Sequence, residues 1–369
     1  MNKRKKSFSS LTTRLKKLVT ALEQLSPSKK IALLLIFAIL SLLMGISIGG
    51  AAVSIPDIFH VFAYHLFGRA LPETMAPVTS GIIWNIRLPR VLLSFIVGAS
   101  LAVSGSVMQS VLKNPLASSY TIGVSAGAGL GAVIVIVFGL SSAFLGMFLM
   151  PVMAISFGMA TIFLAVWFAS RVDSHLDNHS IVLIGMIMSV FMNAIMMTLA
   201  SRNARHAQQI STWQLGSFSL KGWTVVGIVF VVALIIILIL LRYVKEMDVL
   251  TFGDEQAGAL GIEVQKTKWI LIVLSAMLTG VSVAFVGIVG FVDLIAPHVI
   301  RRFFGSSHKY VIPLSAIFGG IFMLLADLIA RTVIAPSEIP VGSVSALIGA
   351  PFFAYIFLKN TNRKRRGRL

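Results

Sequence analysis

Long charge-free apolar runs alternate with short polar segments along this chain. A bilayer crossing takes about 20 apolar residues. Runs of that length cover Ile31–Ile55, Val91–Leu112, Ser180–Ser201, Gly222–Leu241 and Trp269–Val292. Asn114–Ser170 carries no charge over 57 residues. At ~1.5 Å per residue that is close to three bilayer thicknesses, so it predicts two helices, with Gly139-Leu140-Ser141-Ser142 as the turn. Tyr310–Ala326 and Ile339–Leu358 bring the count to nine.

Charge placement changes that count. Both ends of the chain are strongly basic, and basic segments stay on the cytoplasmic side, so the number of crossings is even. Leu294–Phe304 supplies the tenth as a short helix interrupted by Pro297 and buried in the bundle. The outer side then keeps only Arg69, Arg87, Arg90, Arg202, Arg205, Lys221 and Arg331 of the 31 Lys and Arg residues. The expected fold is all-α, a polytopic membrane protein of about ten transmembrane helices. Residues 1–30 form a basic cytoplasmic tail, 31–358 the membrane domain with a cytoplasmic loop at about 243–268, and 359–369 a second basic tail.

Composition agrees. Hydrophobic residues make up 57% of the chain and charged ones 12%, too apolar for a soluble domain. The absence of cysteine excludes disulfides, thiolate metal sites and a cysteine nucleophile. The net charge of +18 invites a nucleic-acid reading, but the basic residues sit in tails and short loops, where membrane orientation explains them. The first apolar run is as long as a full span and follows about 30 polar residues, unlike a signal peptide. Leu11, Leu15, Leu18 and Leu22 could give the N-terminal tail a surface-lying helix.

Several local patterns carry more specific meaning. Arg87-Leu-Pro-Arg90 opens the second span, with Pro89 in the first turn where no N–H partner is lost. The arginines are read either as interfacial anchors or as outer contacts. Pro115 disfavours helix at Asn114, so the chain turns at Lys113-Asn114-Pro115. Gly123, Gly127 and Gly131 recur every fourth residue and mark a close helix-packing face, as do Gly98 and Ala102. Tyr243–Lys268 mixes both charge signs around Gly253-Asp254-Glu255-Gln256-Ala257 and Leu260-Gly261, a loop able to dock a soluble partner. Polar groups within spans are few: Gln109, Asn193, Asp293, His298 and Asp327. Asp327 and Arg331 are spaced to pair on one helix face, and Asp293 is expected near the outer surface. No chain of buried acids and histidines suggests a proton-coupled carrier. No phosphate-binding loop or hydrolase motif occurs, so the chain is expected to be neither an ATPase nor an enzyme.

Four segments, Arg87–Ala132, Gly253–Val264, Gly287–Gly320 and Ala326–Leu358, together resemble the FecCD-type permeases. These are the membrane subunits of importers of the ABC class for iron-siderophores, haem and cobalamin. The resemblance implies the ten-helix, cobalamin-importer-like (type II) fold. It also implies a pore made with a second permease subunit, identical or paralogous, and two ATPase subunits on the cytoplasmic side. A substrate-binding protein would dock outside. It places the ATPase contact at Gly253, Asp254, Glu255, Ala257, Leu260 and Gly261, and the binding-protein contact at Arg87, Arg90 and Arg331. An inner gate would lie near Asn178 and His179. Asp293 stands where the family usually has an apolar or small residue. No cofactor is expected on this chain, ATP and magnesium belonging to the partner ATPase. The expected location is the bacterial cytoplasmic (inner) membrane with both termini inside. Among functions, import of a ferric siderophore leads, cobalamin or haem import is the alternative, and an ion-coupled carrier is a third reading from another class.

Overall fold

The computed structural model describes residues 24–51, 53–73, 75–172 and 178–366. The described residues contain helices and no strand. Helix α1 is Pro27–Ser47 and α2 is Ile55–Phe67. A short turn, Pro77–Gly81, and a π-helical turn, Ile82–Arg87, run directly into α3, Leu88–Val111. There follow α4 (Val124–Val137), α5 (Leu149–Val172), α6 (Asn178–Ser201), α7 (Ala207–Leu215) and α8 (Gly222–Arg242). Two short helices, α9 (Val244–Leu250) and α10 (Asp254–Ala259), precede α11 (Val264–Val286). The chain closes with α12 (Val292–Phe304), α13 (His308–Thr332) and α14 (Val341–Arg366). The possible surface helix around Leu11–Leu22 lies outside the described residues. The basic segment from 359 is not separate from the last span, because α14 continues through it to Arg366.

Among the described residues, seven helices are long and apolar enough to cross a membrane. Two shorter apolar helices, α4 and the Val341–Ala354 part of α14, and the 13-residue α12 complete the expected ten. Helix α3 is the central post, buried along almost its whole length and packed by α8, α11, α12 and α13. The first apolar run divides where the sequence reading left it whole. Helix α1 stops at Ser47, and Ser54 and Asp57 form a reciprocal capping box that starts α2. Ile58 and Val61 of α2 then seat on Ile83, Leu88 and Val91, closing one end of the bundle.

The glycine spacings do what close packing requires. A Cβ on Gly127 would overlap Thr161 Oγ1 and stand 2.6 Å from the Phe157 carbonyl oxygen, and one on Gly131 would meet the Met153 carbonyl. Gly123 faces Thr161 on the same side, but it lies just before α4 with φ +101°, a conformation that glycine adopts without penalty. Helices α4 and α5 thus touch backbone to backbone. Gly98 and Ala102 of α3 make the same approach to Gly319 of α13.

Helices α4 and α12 are both half-length. At ~1.5 Å per residue, the 14 residues of α4 and the 13 of α12 span only about 20 Å each. Each begins deep inside, after a non-helical lead at 114–123 and 287–291 respectively. The two leads meet: Tyr120 donates its hydroxyl hydrogen to the Val289 carbonyl, and Ser118 donates to the Asp293 carboxylate. Ser119 bonds Ser104 (2.7 Å), which also bonds Thr279 (2.8 Å). Asp293 is therefore not near a surface as expected. It is 3% exposed, and a Cβ on Gly105 of α3 would collide with its backbone.

Replacing Gly127 by Ala should separate α4 from α5 and cost about 1–3 kcal/mol, the usual penalty of overpacking. Gly227 of α8 has no heavy atom within 4 Å of an added Cβ, so Gly227→Ala should be neutral or stabilising by up to about 1 kcal/mol. Thermal unfolding of both variants in one detergent reads the difference. Equal midpoints would show that the glycine face is not a packing face.

Candidate functional site

The two ends of the bundle carry different chemistry. One end holds Lys113, the start of α6, the loop with α9 and α10, and the start of α13. Short helices form here because the chain changes character at Arg242, leaving an all-apolar run for a mixed-charge segment. Gly253 takes φ +140° ahead of α10 and Gly261 takes φ +85° after it, so glycines set both corners of this turn. Ala257 is fully buried and fixes α10 to the bundle, whereas Phe252, Glu255 and Leu260 project outward; Leu260 is 72% exposed. Helix α10 is thus an anchored helix with an exposed apolar tip, not a loose connector.

The anchor of α10 is ionic. Asp254 bonds Lys113 at 2.8 Å and also pairs with Lys268. Lys268, fully buried at the start of α11, donates in turn to Asn178 Oδ1 at 3.0 Å. Burial alone would raise the Asp254 carboxyl, but the hydrogen bonds and charges of Lys113 and Lys268 hold it below the ordinary carboxylate range. Asn178 is thereby tied through one lysine to α10, while His179 stands exposed beside it. Both border a cleft of about 770 Å³ between α6, the 112–114 turn and α10.

A second polar chain starts one helix earlier. Asp248 of α9 accepts from the His308 backbone N–H (2.8 Å), from the His308 ring and from Ser307. The other ring nitrogen of His308 shares a hydrogen bond with Ser110 of α3. Arg301 of α12 donates to Ser110, to the Ser106 carbonyl and to Gln109, and Gln109 donates to the Asp293 carbonyl at 3.2 Å. Side chains therefore connect α9 continuously to the helix break at Asp293. The sequence reading counted Asp248 and Lys268 only among the charges of the 243–268 loop and gave Arg301 and His308 no role. The available signal was the serine pattern of α3, where Ser100, Ser104, Ser106 and Ser110 interrupt an otherwise apolar helix.

The opposite end holds the arginines. Arg87 is 5% exposed and donates to the carbonyls of Ile46, Ser47 and Ala51, closing the unpaired C-terminus of α1. Arg331 reaches the Gly45 carbonyl and lies 3.7 Å from Asp327, the pairing expected from their spacing. Arg90 is held from two sides, by Asp327 (2.8 Å) and by Glu338 (2.7 Å), each through two nitrogen–oxygen contacts or more. Asp327 is buried, and Glu338 is 39% exposed, the accessible member of the cluster. All three expected docking residues thus have partners within the chain.

Comparison with known proteins fits this architecture. The FecCD transport family matches residues 33–359. An uncharacterized ABC transporter permease protein, YvrB of Bacillus subtilis, is 37% identical over 88% of this chain and 91% of its own length. The cobalamin import system permease protein BtuC of Halobacterium salinarum is 36% identical over 78% of this chain and 74% of its own. A solved inward-facing conformation of a metal-chelate type ABC transporter superposes with a TM-score of 0.78 at 30% identity, covering 90% of this chain and 99% of that one. Other relatives are named for molybdate, hemin, iron(3+)-hydroxamate and Fe(3+)-citrate import. The chain belongs to the FecCD transport family and is a multi-pass membrane permease subunit of an ABC importer.

Proposed function

We propose that this permease carries a ferric siderophore inward, delivered by an extracytoplasmic binding protein and driven by two ATPase subunits. The observation that supports it best is the α9–α10 pair. Its exposed Phe252 and Leu260 are presented by a helix that Asp254 and Ala257 clamp to the bundle, so a push from a docked ATPase passes into α6 and α12 without dissipating in a flexible loop. The pore forms with a second permease, in the bacterial cytoplasmic membrane with both termini inside. Relatives named for hemin, iron(3+)-hydroxamate and Fe(3+)-citrate support an iron cargo, and the one named for cobalamin keeps that alternative in view. The case against a secondary carrier lost one argument when Asp293 proved deeply buried, but family membership favours ATP coupling independently. Copurification with an ATPase and ATP-dependent chelate uptake in proteoliposomes test the proposal. Uptake driven by an ion gradient without ATP would overturn it.

Gly253→Val and Glu255→Lys should uncouple the complex. The first strains a backbone at φ +140°, and the second reverses an exposed charge beside the tip. Import should fall at least about tenfold while the permease remains folded, a barrier change near 1.4 kcal/mol. Normal import in both variants would remove α10 from the ATPase contact.

The Asp254 anchor also sets a pH expectation. Its folded carboxyl lies below its unfolded value, so its stabilisation is complete above the unfolded value, near pH 4, and is lost only as pH falls through the lowered one. Coupled transport should therefore keep its Asp254-dependent part from about pH 8 down to pH 5. An acid limb near pH 5 that vanishes in Asp254→Asn would contradict the clamp.

Docking of the binding protein at Arg87, Arg90 and Arg331 is proposed as an exchange. The arginines are buried, so a partner carboxylate reaches Arg90 by displacing Glu338. Glu338→Gln should strengthen binding-protein affinity at low ionic strength, and Arg90→Gln should weaken it, each by roughly tenfold. Affinity unmoved by both would leave the arginines as helix anchors alone.

A further inference from the structure

The end that holds the arginine cluster also holds two cations of a different kind. Arg205, in the 3₁₀ turn before α7, and Lys221, just before α8, border a cavity of about 560 Å³. Its remaining polar rim is Gln208, Gln209, Thr212 and Trp213 of α7 with Ser217, and its apolar walls come from α4, α5 and α11. Arg87, Arg90 and Arg331 are all engaged by carbonyls or carboxylates. Arg205 and Lys221 have no ion-pair partner among the described residues. The sequence is consistent with this: from Leu116 to Lys245 the chain has only two carboxylates, Asp173 and Asp177, at least 28 residues from either cation along the chain. A half-buried ammonium without a counter-charge is unfavourable, and burial pushes Lys221 below the ordinary lysine range. An anion in the cavity would relieve that cost.

The rest of the cavity narrows the class of anion. The glutamine amides and the Trp213 indole N–H are hydrogen-bond donors, suited to an oxygen-rich periphery, while the Thr212 hydroxyl donates to the Gln208 carbonyl of its own helix at 2.8 Å. The volume falls in the range that encloses a whole small ligand, 300–1,000 Å³, and far exceeds a bare oxyanion. Helix α7, which forms one wall, is seated on the second helix break. A Cβ on Gly287 would overlap the Trp213 carbonyl, and the Ser217 N–H donates to the Val286 carbonyl at 2.8 Å. An occupant would therefore press on the segment that leads to Asp293. We infer that this cavity receives a net-anionic, oxygen-rich metal chelate, held transiently by Arg205 and Lys221. The inference rests on the importer reading only for the direction of passage.

Equilibrium dialysis of the full-length permease in zwitterionic-lipid nanodiscs tests it, with two radioiron-labelled probes. One is a hexadentate ferric tricatecholate, which is trianionic, and the other a monocationic ferric trihydroxamate. The tricatecholate should bind weakly and saturably, and the trihydroxamate should not. Arg205→Gln with Lys221→Gln should weaken tricatecholate binding by at least about tenfold, while Arg205→Lys with Lys221→Arg, which keeps both charges, should retain it. Equal binding of the two probes, or binding indifferent to the double glutamine variant, overturns the inference. Competition by molybdate at chelate concentrations would reassign the cations to a small oxyanion. Loss of binding in phosphatidylglycerol nanodiscs would reassign them to lipid phosphate. Both outcomes also overturn it. ATP-driven uptake without anion binding sinks this inference alone, and anion binding without ATP-driven uptake sinks the importer reading alone.

Discussion

Backbone N–H and C=O groups at bilayer depth have no water to bond, and leaving one unpaired costs several kcal/mol. This constraint organises the bundle because two of its crossings are not continuous helices. The leads into α4 and α12 expose peptide groups where a full helix would have hidden them. The chain answers with hydroxyls and one carboxylate drawn from four segments: Ser118 and Tyr120 on one lead, Asp293 at the start of α12, Ser104 on α3 and Thr279 on α11. Such a cluster holds only if its members come close, and that closeness is what the glycines permit. Gly105 lets the Asp293 backbone lie against α3, and Gly127 and Gly131 let α5 lie against α4. Small residues and polar residues are thus two parts of one solution. Removing either leaves the other without purpose.

The same cluster gives the molecule a mechanical axis. From the helix break, hydrogen bonds run through Gln109, Arg301, Ser110 and His308 to Asp248 on α9. A parallel route runs from Asp254 on α10 through Lys268 to Asn178 at the head of α6. Paired charges at the bundle end hold geometry through directional bonds, which an apolar contact would not, so the loop helices cannot tilt without moving α6, α12 or both. A physical warrant for coupling is a connected element with two arrangements. The structure provides the connection in one arrangement, and the loop end is where a partner can apply load.

Much of this was legible in the residues. Charge-free length located the long spans, and the even-crossing argument found α12 from its Pro297 and its short apolar stretch. The four-residue glycine spacing identified the face of α4 that meets α5. What escaped were features written in tertiary contacts. Helix α2 was invisible because apolar content continues from α1 through Ile55, and only the Ser54–Asp57 capping box separates them. The depth of Asp293 was misjudged because a lone acid next to a glycine-rich segment looks like an interfacial residue, and its partners lie 175 and 184 positions away in sequence. Lys268 read as the last charge of a mixed-charge docking loop, yet it is fully buried because Asp254 and Asn178 meet it there. Long-range pairs of this kind leave no local period to detect.

The arginines show how an identity can be right while its environment is not foreseen. Arg87-Leu-Pro-Arg90 was expected to face outward; it sits at the end of the bundle opposite the α9–α10 loop, and both guanidinium groups turn into the bundle. Arg87 is drawn in by the free carbonyls at the end of α1, an electron-rich site that a planar five-donor group fills well. Arg90 is drawn in by Asp327, whose burial would be prohibitive without it. Once Arg90 and Asp327 neutralise each other, Glu338 adds a further negative charge to a cluster that Arg331 balances from the other side. That end of the bundle therefore divides its charges into two kinds. Those near α1 and α13 are bound by carboxylates or by helix-end carbonyls and hold helices together. Those beside α7 and α8 are uncompensated and border open space. Charges of the second kind can bind something that comes and goes without any internal ion pair being exchanged.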